Sequence, residues 1–248
     1  MKIRIKFRKY GTMKFIGHLD VMRYFQKAIR RADVDVCYSG GFSPHQIMSF
    51  AAPLGVGNTS NGEYVDIEVS STKDSETMKK CLNGVMSEGF EVVSYRGLPD
   101  DAANAMSIVG AGDYTLAFRP GYEPEDMDKE TWFQGLIAFF ERPSVMVTKK
   151  TKRGDKEMDL KPLVYELRIC PEGDGEMEGP RLFMKISAGS AANVKPEQVL
   201  DAYYGFLGKE RPPFAFMVQR EEVYADRASD AEKEAGIHSF ISLEQLGE

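Results

Sequence analysis

The side chains of this sequence that could perform acid–base chemistry are concentrated near two histidines in its first fifty residues. His18 stands at the start of a segment with helical spacing, and Asp20 follows two residues later. His45 lies in the unusual stretch YSGGFSPHQIMSFAAPLGVG, residues 38–57. An imidazole with a pKa near 6.5 is a natural general base, and two of them could cleave RNA without a metal. His45, His18 and Asp20 are therefore catalytic candidates, against the alternative that His18 begins a helix and His45 fixes a turn.

The helix that should begin at His18 carries a row of cations. Arg23, Lys27, Arg30 and Arg31 are spaced at i, i+4, i+7 and i+8, which places them on one helical face. Such a face could contact phosphates, or it could be the solvated side of an ordinary amphipathic helix. As a binding surface we predict this face together with the loop that follows, with the residues Arg23, Lys27, Arg30, Arg31, Ser43 and His45.

A second basic segment lies in the stretch TKKTKRGDKEMDLKP. Five Lys or Arg residues and one Asp fall between Lys149 and Lys156, around a Gly-Asp pair that is typical of a turn. A basic hairpin could clamp a nucleic-acid backbone, and it could equally be a solvated tip. We add Lys150, Lys152 and Arg153 to the predicted binding residues.

Charge and motif content exclude several classes of function. The net charge is −6, yet residues 1–50 hold ten Lys or Arg and three Asp, a local charge of +7. Overall acidity argues against non-specific nucleic-acid binding but leaves specific binding open. The sequence has no CxxC pair, no GxxxxGK[ST] loop and no apolar run long enough for a membrane span. We therefore expect no metal, no cofactor and no membrane contact, and a cytoplasmic location.

Hydrophobic periodicity gives the first half of the chain the order β-α-β-β-α-β. The predicted elements are a strand at 2–9, a helix at 18–32, an apolar stretch at 47–54, a strand at 63–69, a helix within 74–89 and a strand at 90–98. In the helix at 18–32 the expected buried stripe is Leu19, Met22, Phe25 and Ile29. This order is that of a ferredoxin-like fold, an antiparallel sheet with both helices on one face.

A similar order restarts after a small, polar, glycine-containing segment at 99–112, which we interpret as a linker. The second set of predicted elements is a strand at 113–120, a helix at 125–141, strands at 144–150, 163–170 and 181–187, a helix at 195–208 and a strand at 214–224. The predicted fold class is therefore α+β, with two ferredoxin-like halves related by duplication and a basic hairpin inserted in the second half. The predicted domains are 1–98 and 113–225, followed by a charged C-terminal tail at 226–248.

The sheet face opposite the helices of the first half is a further candidate surface. The first strand carries Arg4, Lys6 and Arg8 on that face, and the neighbouring antiparallel strand carries Tyr64 and Asp66. RNA-binding sheets of this type place aromatic side chains there for base stacking. Because Tyr64 alone is a small platform, cross-strand ion pairing is the preferred interpretation.

Several short motifs give this sequence a resemblance to a known family. The motifs are IGHLD (16–20), GFSPH (41–45), LGV (54–56) and GEYVDIE (62–68), with DLKPLV and KPEQVL in the second half. They resemble the radical-SAM-linked protein family, a bacterial domain with no assigned activity that is found fused to, or encoded beside, B12-binding radical SAM proteins. The resemblance implies a radical SAM partner, and genes for ribonuclease and ribosomal proteins near such domains imply a role with RNA.

Taken together, these features predict a non-catalytic RNA-binding or accessory protein that works with a radical SAM enzyme in RNA modification or processing. One alternative is an RNA-modifying or RNA-cleaving enzyme that uses His45 or an aspartate. Another is a protein–protein adaptor without RNA.

Overall fold

The structure of this chain is a computed structural model that describes residues 1–151, 154–173, 177–189 and 192–248. The chain forms two compact units, Met1–Gly110 with Arg220–Glu248 and Ala111–Gln219. Helices and a mostly antiparallel sheet occur in both, so the predicted α+β class is confirmed. None of the helices in the described part of the chain is long and apolar enough to cross a membrane.

The first unit begins with the elements that the sequence predicted and ends with a C-terminal segment. Its helices and strands are β1 (Lys2–Lys9), α1 (His18–Arg31), β2 (Met48–Phe50), β3 (Thr59–Glu68), α2 (Ser75–Asn83), β4 (Phe90–Leu98), α3 (Ala105–Ile108), the later part of β10 (Phe216–Asp226), α6 (Asp230–Glu234) and β11 (Phe240–Ser242).

The sheet of the first unit has the order β4-β1-β3-β2, with every neighbouring pair antiparallel. This is the strand order of a ferredoxin-like sheet. β10 also pairs with β3, and β11 extends the sheet beyond β10. The register places Arg4 opposite Asp66 and Lys6 opposite Tyr64, so these four residues share one face of the sheet, as the alternation predicted.

Packing of α1 against this sheet differs from the sequence prediction at two positions, Leu19 and Met22, and Met22 is only partly buried. Phe25 and Ile29 are fully buried, as expected, and they are joined by Val21 and Ala28. Leu19, expected in the same stripe, is 60 % exposed. At 100° per residue Leu19 lies on the opposite side of the helix from the centre of the buried face, close to Arg23 and Arg30.

The C-terminal segment covers the sheet face that lies opposite the helices. Arg4 Nη1 donates a hydrogen bond of 3.2 Å to the carbonyl of Leu243, whose side chain is fully buried. The backbones of Gly97 and Glu248 exchange two hydrogen bonds of 2.8 and 2.9 Å. Residues after Asp226, which the sequence led us to treat as a tail, therefore pack on β1 and β4 as part of the first unit.

The second unit has the same order of elements with one insertion. Its helices and strands are β5 (Val109–Phe118), α4 (Lys129–Phe140), β6 (Met146–Thr151), β7 (Gly154–Asp159), β8 (Val164–Gly173), β9 (Gly179–Ser187), α5 (Pro196–Phe206) and the first residues of β10. The strand order is β10-β5-β9-β8. β6 and β7 form a separate two-stranded hairpin, which is the predicted insertion.

Aromatic side chains dominate the core of the second unit. Trp132 of α4 contacts the ring of Phe118 on β5 and that of Tyr203 on α5, at centroid distances of 5.1 and 4.8 Å. The two helices thus pack together on one side of the sheet. A duplication relating the two units stays a prediction, since it rests on the shared order of elements alone.

Candidate nucleic-acid interface

The cationic residues of α1 lie on its solvent side. Arg23, Lys27, Arg30 and Arg31 are all exposed, on the side of the helix away from the buried face. Arg30 and Arg31 occupy the last turn, where cations interact favourably with the helix dipole. We name these four residues the cationic face.

Charge on the cationic face is only partly compensated. Asp20 Oδ1 lies 3.4 Å from Arg23 Nη1, and both side chains are more than half exposed, so this pair contributes little. Arg30 Nε donates to the carbonyl of Gln26 at 3.2 Å. Lys27 and Arg31 make no hydrogen bond or ion pair with the part of the chain that the structure describes. Most of the positive charge is therefore available to an anionic partner.

The glycine-rich stretch after α1 forms a narrow projecting arm, residues 38–46. Tyr38 and Gln46 form an antiparallel bridge, and Ser39 N donates to His45 O at 2.8 Å. At the tip, Gly41 has a φ of +100°, a conformation that favours glycine. The glycines thus allow the chain to reverse direction within a few residues.

One buried glutamine fixes the arm to the cationic face. Gln46 is 5 % exposed, and its Nε2 donates to the carbonyl of Gln26 at 3.2 Å. Arg30 Nε donates to the same carbonyl oxygen at the same distance. The base of the arm and the Arg30 side chain therefore meet at a single atom, which places the predicted loop beside the predicted cations.

Two aromatic residues on the arm were not among the binding residues predicted from the sequence. Phe42 at the tip is fully exposed, and Tyr38 at the base is about half exposed. Exposed aromatic rings beside cations are the usual platform for stacking unpaired bases. The sequence did contain a signal for the exposure of Phe42. This residue stands between two glycines and a Ser-Pro pair, and such a segment cannot bury a large side chain.

His45 lies on the arm, whereas His18 is the first residue of α1. His45 Nδ1 is 2.8 Å from the Ser39 hydroxyl, which also accepts the His45 backbone N–H at 3.1 Å. The ring of His18 stands edge-on to Phe50, with centroids 5.3 Å apart. The two imidazoles thus have different neighbours, Ser39 for His45 and Phe50 for His18, and they make no hydrogen bond with each other in the described structure.

The remaining predicted site residues are divided between the arm, the helix and the hairpin. Ser43 is exposed on the arm, and Asp20 is exposed on α1. Lys150 belongs to β6, whereas Lys152 and Arg153 lie outside the described residues. Over residues 1–151, 154–173, 177–189 and 192–248, no group of three His, Cys, Asp or Glu side chains is arranged to hold a metal ion.

The sheet face of the first unit is closed by buried ion pairs. Arg4 binds both carboxylate oxygens of Asp66, at 2.8 and 2.9 Å, and the N–H of Ala105 donates to Asp66 Oδ2 at 2.7 Å. Arg4 is only 1 % exposed. The cross-strand pairing expected from the sequence is therefore present here, and a third residue from α3 completes it.

Lys6 and Tyr64 on the same face are occupied by the C-terminal part of the unit. Lys6 Nζ lies 2.7 Å from Glu222 Oε2 and 3.0 Å from Glu244 Oε2, and Tyr64 donates to Glu222 Oε1 at 2.6 Å. Burial lowers the pKa of Lys6, but the two carboxylates outweigh it and raise the pKa overall. Burial and the nearby Glu222 raise the pKa of Tyr64. Tyr64 is thus a buried structural residue and offers no stacking surface.

A second buried cluster supports the loop that follows the arm. Arg220 Nη1 donates to Glu63 at 2.9 and 3.1 Å and to the carbonyl of Ala52 at 3.0 Å, while Arg220 Nη2 donates to Pro53 O at 3.3 Å. Burial raises the pKa of Glu63, and the positive charges of Arg220 and Lys9 offset this only in part. Arg220 lies more than 150 residues from Glu63 in the sequence, so sequence inspection could not have found this contact.

The described chain thus consists of two α+β units, and the first carries an exposed surface of cationic and aromatic side chains. The chain belongs to the bacterial family DUF2344, described as "uncharacterized protein conserved in bacteria", whose model matches residues 2–196. A comparison with curated proteins gives no match.

Proposed function

We propose that this protein is a non-catalytic RNA-binding accessory protein that works with a radical SAM enzyme in RNA modification or processing. Its RNA contact is the surface formed by the cationic face of α1 and the arm at residues 38–46. We further propose that this activity is cytoplasmic.

The RNA proposal is supported above all by two hydrogen bonds to one atom: Arg30 of α1 and Gln46 of the arm both donate to the carbonyl of Gln26. This contact places exposed cations and the exposed rings of Phe42 and Tyr38 on one surface. Cations can follow a sugar–phosphate backbone while aromatic rings stack on splayed bases. Single-stranded RNA presents both groups at once, whereas a duplex keeps its bases stacked.

The non-catalytic part of the proposal is supported by the separation of the histidines. An acid–base mechanism needs two groups that reach the same reacting atoms. His18 packs against Phe50, whereas His45 is held by Ser39 on the arm. The radical SAM partner rests on the motifs IGHLD, GFSPH, LGV and GEYVDIE, which resemble those of radical-SAM-linked proteins.

The test is a binding titration of the full chain with fluorescein-labelled decauridylate, followed by anisotropy at several salt concentrations. If all four cations contact phosphates, the logarithm of the affinity should fall with the logarithm of salt concentration with a slope of about −2.8. Reversing two cations, Arg30→Glu with Arg31→Glu, should lower the affinity and reduce the slope by about 1.4.

A matched control carries the same charge change elsewhere. Lys80→Glu with Lys209→Glu also lowers the net charge by four, at exposed positions outside this surface, and this protein should bind RNA nearly as the parent does. Phe42→Ala should weaken binding by about 1–3 kcal/mol with an unchanged salt slope, because it removes stacking and no charge.

Several results would contradict the proposal. RNA retention that is absent at low salt, or that falls equally in both charge-reversed proteins, would exclude a specific contact at the cationic face. Loss of an RNA-directed activity in a folded His45→Ala protein would replace the accessory role with an enzymatic one. Affinity capture of a radical SAM protein tests the partner separately. If the capture is unaffected by nuclease and the chain binds no RNA, the alternative of a protein–protein adaptor is favoured.

A further inference from the structure

We propose that a groove in the second unit, between α5 and the free edge of β6, binds an extended acidic segment of another protein by strand addition. This site is separate from the surface proposed for RNA. The groove has a volume of about 540 Å³, and its walls are the end of α4, the start of β6 and one side of α5.

The edge of β6 offers backbone hydrogen-bonding groups to this groove. β6 pairs only with β7 in the described part of the chain, in an antiparallel register that sets Val147 opposite Met158. Leu160 N donates to Val145 O, which identifies Val145 and Leu160 as a hydrogen-bonded pair. Since such pairs alternate along an antiparallel ladder, the N–H and C=O groups of Met146 and Thr148 point away from β7. An added strand would find donors and acceptors there.

The opposite wall is one face of α5. Gln198, Asp201, Ala202 and Gly205 line the groove, and their spacing of three and four residues is that of a single helical face. A Cβ placed on Gly205 would have nothing within 4 Å, so the groove is open at this point. An extended segment lying along β6 would therefore pass beside a helix that presents small and polar side chains.

The end of the groove is apolar and aromatic. Phe139 and Phe206 stack with centroids 4.9 Å apart, and the guanidinium of Arg142 lies over both rings, 4.2 Å from the centre of Phe206. Met146, on the edge strand, is more than half exposed. This arrangement provides an apolar contact for one large side chain of the bound segment, with a cation beside it.

The charges near the groove favour an acidic segment as its occupant. Asp201 is paired with Arg211 at 2.6 Å, so the acid in the groove is already neutralised. Arg142 has no ion-pair partner among the described residues, and the β6 segment contributes Lys149 and Lys150 and no acidic residue. An acidic segment complements these charges, because opposite potentials favour association and like charges oppose it.

The probe is a fluorescein-labelled decapeptide of alternating glutamate and valine, titrated with the full chain and followed by anisotropy. Two control peptides accompany it: the same peptide with lysine in place of glutamate, and the acidic peptide with alternate backbone nitrogens methylated. Only the unmodified acidic peptide should bind, since the lysine peptide is repelled and the methylated one cannot join a strand edge.

Two pairs of variants locate the site. Gly205→Glu introduces a bulky anion into the groove and should weaken peptide binding on the order of tenfold or more, whereas Gly205→Ala should bind as the parent does. Thr148→Pro removes an N–H that faces the groove and should abolish binding while the hairpin persists, because proline is tolerated at outward-facing edge positions. Thr148→Ala, which keeps this backbone N–H, is its companion control.

Several outcomes would overturn the proposal. They are failure of the acidic peptide to bind at low salt, equal binding of the lysine or methylated peptide, and binding that is unchanged in Gly205→Glu. If decauridylate competes with the peptide, and if its binding is lost in the same variants, the groove binds RNA instead. Concentration-dependent self-association that Thr148→Pro abolishes would assign it to a second copy of the chain.

Discussion

Removal of the Asp66 carboxylate should be among the most damaging single changes in the first unit. Asp66 accepts two hydrogen bonds from Arg4 and one from the backbone of Ala105. In Asp66→Ala the Arg4 guanidinium stays buried, with the carbonyl of Leu243 as its remaining hydrogen-bond acceptor in the described structure. The charge would then have no counter-ion.

The size of the effect follows from the burial of this pair. Breaking a buried ion pair by removing one partner typically costs about 3–5 kcal/mol, because the remaining charge is left uncompensated. The Ala105 N–H also loses its acceptor, and an unsatisfied buried donor costs about 1–3 kcal/mol. We therefore expect Asp66→Ala to reduce the stability of β1 and β3 by about 4 kcal/mol or more.

Amide hydrogen exchange, read by mass spectrometry on peptides from β1 and β3, measures this loss locally. A double-mutant cycle separates the pair from its surroundings, with Arg4→Met as the second single variant. The combined protein, Arg4→Met with Asp66→Ala, buries no charge at these two positions, and it should be far more stable than the sum of the two single losses predicts. A loss below about 1 kcal/mol in Asp66→Ala, or additive losses in the cycle, would refute the reasoning.

Three further changes test other parts of the fold. Burial alone would raise the pKa of Asp226, but hydrogen bonds from His238 and from backbone N–H groups outweigh it and lower the pKa. The stabilising contribution of Asp226 is therefore present above the unfolded-state pKa and is lost as the pH falls through the folded value. Below about pH 4, the protection of residues 227–242 against amide exchange, relative to the intrinsic exchange rate, should fall, and Asp226→Asn should remove this transition. Gly135→Ala places a methyl group directly on the Tyr203 hydroxyl and should destabilise the second unit by about 1–3 kcal/mol. Gly205→Ala meets open space and should stabilise the same unit by up to about 1 kcal/mol; tryptophan fluorescence during urea unfolding measures both glycine variants.

Local pattern was sufficient for most elements of the first unit. Alternation of charged and apolar residues predicted β1, and the predicted strand at 90–98 coincides with β4. Asp74 caps α2 by accepting a hydrogen bond of 2.9 Å from Thr77 N, at the start of the segment 74–89 that was predicted to contain this helix. Such signals work because capping and alternation depend on residues that are neighbours in sequence.

Leu19 and Phe42 show where local pattern failed. Both are large apolar residues, and periodicity alone assigned Leu19 to the core. The rotation of α1 about its axis is set by how Val21, Phe25 and Ile29 fit against the sheet, and this leaves Leu19 in solvent. Phe42 is exposed because a short arm of glycine, serine and proline has no interior.

The sequence by itself determined the α+β class, the row of cations on α1 and the presence of a basic hairpin, because each depends on residue types at short spacing. Only the tertiary structure decided which surfaces are available. Residues 220–248 return to the first unit and close the sheet face over Arg4, and Gln46 joins the arm to α1 at the carbonyl of Gln26. These contacts link segments that are twenty to more than two hundred residues apart, and their formation depends on the burial of charged and polar groups in three dimensions.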